Sequence, residues 1–88
     1  MEISMKLTVI GGCGSRSLML AKSLAQQADE LHITEVVFMD IDEKRVHILG
    51  AMVKEAFARI APKVKFGCTT GPKEAVLGAA FIITTIRV

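Results

Sequence analysis

A glycine-rich segment near the N-terminus contains the residue types best suited to chemistry. It reads Gly11-Gly12-Cys13-Gly14-Ser15-Arg16-Ser17 and directly follows the apolar run Lys6–Ile10. Because glycine lacks a Cβ, such a segment lets the backbone turn tightly and approach a bulky anion closely. If a helix begins at its end, the free N–H groups of the first turn face that anion. The segment therefore predicts a phosphate-binding turn, with Ser15 and Ser17 as further donors and Arg16 as a positive charge.

The spacing of these glycines matches the dinucleotide-binding pattern G-x-G-x-x-G only in part, and two registers are open. With Gly11 as the first glycine, Cys13 takes the second glycine position. With Gly12 as the first, Gly14 takes that position. Counting from the end of the apolar run favours the Gly11 register, which places a thiol where the backbone should approach the phosphates.

The next apolar run is followed by a carboxylate, which is the residue type expected at the ribose of a dinucleotide. Asp40 follows Glu35–Met39 and lies 24 residues after Arg16, near the separation of roughly 20 that is typical of dinucleotide-binding units. A carboxylate at this point accepts hydrogen bonds from both ribose hydroxyls and repels a 2′-phosphate, which favours NAD over NADP. The alternative is that Asp40 only caps the loop before the next helix.

The apolar periodicity predicts an alternation of strands and helices that positions these residues. The predicted strands are Lys6–Ile10, Glu35–Met39, Lys63–Gly67 and Ala80–Ile86. The predicted helices are Ser17–Ala28, a longer one from the N-cap Asp42 to Pro62, and Pro72–Leu77. The order β-α-β-α-β-α-β indicates an α/β fold, specifically part of a Rossmann-like, doubly wound parallel sheet.

Composition narrows the class of protein and its partners. The chain has 88 residues, 51% of them apolar, which suits one small domain with well-covered strands. Its eleven basic and nine acidic residues are scattered, and its aromatic residues are four Phe, so neither nucleic acid nor a membrane is expected as a partner. The two cysteines lie far apart, the N-terminus lacks the residue order of a signal peptide, and no apolar stretch is long enough to span a bilayer, so we expect a cytoplasmic protein.

The remaining reactive side chains are expected to be structural or solvated. His32 is placed in a surface loop and His47 on the flank of the second helix. Cys68 follows the third predicted strand, where we expect a small buried apolar side chain. No catalytic or metal-binding residue is predicted in this chain.

Three segments together resemble the family 4 glycoside hydrolases, most closely their 6-phospho-β-glucosidases: the Gly11–Ser17 loop, Glu35–Asp42, and the closing Ile86-Arg87-Val88. The family's loop reads GGGSSRS or GGGSSYT followed by Pro. This chain reads GGCGSRS followed by Leu, so it departs at Cys13, at Gly14 and at the proline. The resemblance covers the whole chain but only the first part of a family member. We therefore expect residues 1–88 to be the N-terminal, NAD-binding half-domain of a longer enzyme.

The resemblance implies an unusual route for cleaving phosphorylated disaccharides or glycosides. In the family, NAD oxidises the sugar C3 hydroxyl, which acidifies the C2 proton, and the leaving group departs by elimination. A divalent metal, usually Mn²⁺, acts as a Lewis acid on the sugar oxygens. The family's metal ligands and catalytic base lie beyond this chain, so the chain is expected to be inactive alone. Arg87 is expected at the cofactor crevice or in solvent, and the enzyme is expected to be a homo-oligomer.

Two other functions fit the same features. A 2-hydroxy-acid dehydrogenase of the malate or lactate type shares the first strand-helix-strand unit, although the Ile86-Arg87-Val88 ending and the serine-containing loop count against it. The second alternative is a free-standing nucleotide-binding regulatory module, which would require no residues beyond this chain.

Overall fold

The predicted alternation of strands and helices is present in the computed structural model, which describes residues 5–11 and 17–84. The strands are β1 (Lys6–Ile10), β2 (Glu35–Met39), β3 (Lys65–Thr69) and β4 (Phe81–Thr84). The helices are α1 (Ser17–Gln27), α2 (Glu43–Ile60) and α3 (Pro72–Val76). All strands pair in parallel in the order β3-β2-β1-β4, which confirms the α/β, Rossmann-like prediction. The last two residues predicted for β4 lie outside the described residues.

The main core lies between one face of the sheet and the helices α1 and α2. Leu7 and Val9 of β1 alternate onto this face, as do Val36 and Phe38 of β2. The apolar sides of α1 and α2 supply the opposing layer, whose buried members are Ala21, Leu24, Ala25, Ala28, Val46, Val53 and Phe57. The apolar spacing of α2 predicts that Ile60 continues this side, but Ile60 is 40% exposed.

The opposite face of the sheet is covered by the short helix α3. Ala75 is fully buried there against Val37 and Met39 of β2. The buried hydroxyl of Thr8 donates a hydrogen bond to the Ala75 carbonyl. Lys6 Nζ donates to the carbonyl of Leu77, at 2.8 Å, and to that of Glu74. These bonds satisfy carbonyl groups at the end of α3 that the helix itself leaves without partners.

The ends of α2 and α3 follow their sequence signals. Asp42 is the N-cap of α2, and its side chain accepts from the backbone N–H groups of Lys44 and Arg45, as predicted. Proline begins α3, and Gly78 follows it with a φ of +73°. Only glycine adopts this left-handed conformation without strain, so the chain turns there toward β4.

Two predictions about the third strand are wrong. β3 begins at Lys65, two residues later than predicted, because a turn with a hydrogen bond from Val64 N–H to the Ala61 carbonyl occupies the preceding residues. It continues through Cys68 to Thr69, because its ladder with β2 extends to the Met39–Thr69 pair. Cys68 is therefore in the strand, and it is exposed because β3 is an edge of the sheet among the described residues.

Within residues 5–11 and 17–84, no helix is both long and apolar enough to cross a membrane.

Candidate functional site

Parallel pairing of β1 with β2 brings the predicted glycine turn and the predicted carboxylate together. Ile10 and Met39 are paired at the ends of the two strands, and Gly11 and Asp40 follow them. The Gly11 N–H donates to the Met39 carbonyl at 2.7 Å. Gly11 has a φ of +76°, which turns the chain sharply out of the sheet as soon as β1 ends. The two predicted residues therefore lie at the same edge of the sheet, where ligands of open α/β sheets bind.

The rest of the glycine loop is described only at its end. Ser17 is the first residue of α1, as predicted, and the helix has eleven residues. Gly12, Cys13, Gly14, Ser15 and Arg16 lie outside the described residues, so the two glycine registers both stay open. The loop therefore connects a sharp turn at Gly11 with a helix N-terminus, whose dipole favours a nearby anion.

Asp40 has a local role as well as a suitable position. Its Oδ1 accepts from the Asp42 N–H at 3.0 Å, and its own N–H donates to the Thr69 carbonyl at 3.2 Å. Asp40 therefore caps the loop before α2. This role is compatible with ligand binding, since each carboxylate oxygen has two lone pairs and the residue is partly exposed.

The isoleucine that follows this carboxylate was not among the predicted site residues. Ile41 is 86% exposed, more than any other large apolar side chain among the described residues. It lies between Asp40 and the α2 N-cap, Asp42, at the same edge of the sheet. An isoleucine between two aspartates directly after a strand was the available signal, because such a position is in a loop that no core covers.

The other reactive side chains lie away from this edge or outside the described residues. His32 is in an exposed turn with a φ of 59°, and His47 is exposed on α2, both as predicted. Within residues 5–11 and 17–84, no group of three or more His, Cys, Asp or Glu is arranged to hold a metal ion. Arg87, predicted near the cofactor crevice, lies beyond the last described residue, Thr84.

Comparison with protein families gives a match over nearly the whole chain. The profile described as "Family 4 glycosyl hydrolase" matches residues 6–88. A maltose-6′-phosphate glucosidase of Clostridium acetobutylicum is 28% identical over 82 residues, which is 93% of this chain and 19% of that protein.

Solved structures show the same fold at similar identity. A 6-phospho-α-glucosidase from gut microorganisms, in complex with NAD and Mn²⁺, has a TM-score of 0.88 and 27% identity over 97% of this chain. A 6-phospho-β-glucosidase of Thermotoga maritima, with NAD and glucose-6-phosphate, has a TM-score of 0.84 and 30% identity, also over 97% of this chain. The matches cover 19% and 20% of those two chains, so this chain spans about a fifth of their length.

Proposed function

Because the chain belongs to family 4 of the glycosyl hydrolases, we propose that it is the NAD-binding part of a metal-dependent 6-phospho-glucosidase. The observation that carries the proposal is the placement of Gly11 and Asp40 at the ends of two adjacent parallel strands. The comparison favours this function over a 2-hydroxy-acid dehydrogenase. In this proposal residues 1–88 form the N-terminal half-domain of a longer enzyme.

The pyrophosphate of NAD is assigned to the loop between β1 and α1. Gly11 begins that loop with a left-handed turn, and at the other end the dipole of α1 favours an anion. The proposed contacts come from Gly11 to Ser17, with Arg16 as the positive charge of the loop and Arg87 at the end of the chain.

The adenosine end of NAD is assigned to Asp40 and Ile41. The Asp40 carboxylate accepts from the ribose hydroxyls while Oδ1 keeps its bond from the Asp42 N–H. The exposed Ile41 side chain supplies an apolar surface for the adenine ring, and covering it removes apolar area from water. These residues bind and orient the cofactor; when bound, NAD supplies a hydride acceptor for oxidation of the sugar.

The substrate class follows from the relatives. Those compared act on 6-phospho-α- or 6-phospho-β-glucosides, and they match this chain at 27% and 30% identity. A phosphorylated glucoside is therefore the proposed substrate, and specificity for the β-anomer stays a prediction from the resemblance. Mn²⁺ is the proposed metal, held by ligands beyond this chain.

Binding of NAD tests the site directly. We expect weak binding by the 88-residue chain, with NMR shifts at Gly11, at Asp40 and at the start of α1, and weaker binding of NADP. Asp40→Asn removes the charge but keeps an oxygen for the Asp42 N–H, so it should weaken NAD binding about tenfold without loosening the loop. Asp29→Asn, in the exposed turn after α1, is the matched control. Equal affinity for NADP, or shifts confined to other residues, would contradict the proposal.

A second test concerns catalysis. The chain alone should not hydrolyse phosphorylated glucosides even with NAD, Mn²⁺ and a reductant, because the proposed base and metal ligands lie outside it. Hydrolysis above background by the purified chain, lost on Asp40→Asn, would show that the chemistry has been assigned to the wrong part of the enzyme.

A further inference from the structure

A groove of about 880 Å³ lies between α2 and the C-terminal end of β3. We call it the β3 groove and define it by Lys44, His47, Ala51 and Lys54 of α2 together with Cys68 and Thr70. Its floor is close-packed, because a Cβ placed on Gly50 would lie 2.6 Å from the Cys68 Sγ. The groove therefore lies between α2 and the edge of the sheet at β3.

Among the described residues, the outer edge of β3 has backbone groups without a partner strand, at Cys68 in the groove and at Phe66 next to it along the strand. The Lys65 N–H donates to the Thr34 carbonyl at 2.9 Å, and the Thr69 carbonyl accepts from the Asp40 N–H at 3.2 Å. Because alternate residues of a parallel strand bond to the same neighbour, Lys65, Gly67 and Thr69 bond toward β2. Phe66 and Cys68 therefore direct their N–H and C=O groups outward, where no strand lies among the described residues.

The helix above this edge is cationic on the side that faces the groove. Lys44, His47, Ala51 and Lys54 follow one another at helical spacing, so they form one stripe along α2. Among the residues that line the groove, Glu43 is the one carboxylate, against the ammonium groups of Lys44 and Lys54. An acidic segment therefore fits this channel better than a basic one.

We propose that the β3 groove binds an extended, acidic polypeptide segment, which adds to the sheet as a further strand beside β3. Its main chain pairs with Phe66 and Cys68, and alternate side chains point toward Lys44 and Lys54. The intervening side chains lie over Gly67, where a Cβ would meet nothing within 4 Å.

The same charges argue against a second copy of this chain as the occupant. Two β3 strands paired across a two-fold axis would bring both sets of α2 lysines and both Lys65 side chains to one interface. Like charges opposed in this way are unfavourable, whereas carboxylates on an added strand neutralise them.

Hydrogen exchange with a defined probe tests the proposal. The probe is a capped peptide of alternating Glu and Val, titrated into the 88-residue chain and followed by ¹H–¹⁵N NMR. At saturation the Phe66 and Cys68 amides should exchange about tenfold more slowly, because their N–H groups become bonded. The Lys65, Gly67 and Thr69 amides, which already point to β2, should not change.

Charge variants and control peptides complete the experiment. Lys54→Glu should weaken the peptide about fivefold, whereas Lys22→Glu, on the exposed side of α1, should have no effect. A Lys-Val peptide should bind much more weakly, and free glutamate should leave the Cys68 amide unprotected. Equal binding of the Lys-Val peptide, protection by free glutamate, or an unprotected Cys68 amide at saturating Glu-Val peptide would each overturn the proposal.

Discussion

Thr8 shows how one hydroxyl joins distant parts of this chain. It is fully buried in the central strand β1, and it donates to the Ala75 carbonyl 67 residues away. From the sequence, Lys6–Ile10 was predicted as a buried strand, and Thr8 fits it as a β-branched residue. Its partner was not predictable, because a pattern of apolar residues shows which side is buried but not which carbonyl lies above it. For the same reason, the hydrogen bonds from Lys6 to the end of α3 could not be predicted from the sequence.

Thr8→Val is expected to destabilise the protein by about 1.5 kcal/mol. Valine keeps the shape of threonine but leaves the buried Ala75 carbonyl without its donor. Urea unfolding measures the change, and the exposed Thr70→Val serves as the control, with an effect within about 0.5 kcal/mol. Equal effects of the two substitutions would mean that the hydroxyl adds nothing to stability.

Gly50 and Cys68 form a second pair whose coupling is measurable. An alanine Cβ at Gly50 would lie 2.6 Å from the Cys68 Sγ, so this contact opposes the gain of about 1 kcal/mol expected from alanine in a helix. We expect Gly50→Ala to destabilise the wild-type chain but to be neutral or stabilising in a Cys68→Ala background. A double-mutant cycle by urea unfolding gives the coupling, about 1 kcal/mol. A coupling near zero would show that the thiol moves aside freely.

At the scale of helices and strands, local signals fixed most boundaries. Asp42 and Pro72 predicted the starts of α2 and α3 correctly, since a cap and a proline act on their immediate neighbours. The bounds of β3 were predicted wrongly because they depend on its hydrogen-bonded ladder with β2. No residue type within Lys63–Thr69 signals where that ladder ends. In the candidate site, the position of Asp40 was predictable from its place after a strand, whereas the exposure of Ile41 required the fold.

An aromatic cluster between α2 and the sheet provides a test at the scale of helices and strands. The Phe66 ring stacks on Phe57 of α2, with centroids 5.2 Å apart, and meets Phe38 of β2 edge-on at 5.5 Å. Phe66→Leu should therefore destabilise the protein by about 2 kcal/mol, since two ring contacts are lost. The half-exposed Phe81→Leu, measured by the same unfolding experiment, should change stability by less than about 0.5 kcal/mol. If Phe81→Leu costs as much as Phe66→Leu, the cluster has no special role.

At the scale of the whole molecule, the two edges of the sheet differ in character. The edge at β3 has Lys65 and the lysines of α2 beside it, which discourage self-pairing. The edge at β4 is uncharged, with Phe81 and Ile82 each 51% exposed and Leu77 76% exposed nearby. Uncharged, β-branched edges without proline recruit other strands.

We therefore expect the 88-residue chain to self-associate through β4 at micromolar concentration. Ile82→Lys places a charge on that strand and should shift the chain toward monomer in sedimentation velocity, whereas Met19→Lys, on the exposed side of α1, should not. Monomeric wild-type chain under these conditions would contradict the expectation. Equal effects of the two substitutions would place the contact elsewhere.

The central position of β1 also has a consequence during synthesis. β1 pairs with β4, and Thr8 reaches Ala75, which is translated 67 residues later. At about 5–20 residues per second, the ribosome takes roughly 3–13 seconds to make that stretch. Throughout this interval one side of the nascent β1 has no neighbouring strand, and the Thr8 hydroxyl lacks its acceptor. β1 therefore gains its second neighbouring strand only when β4 has emerged, and until then that side of the nascent strand can pair with other chains.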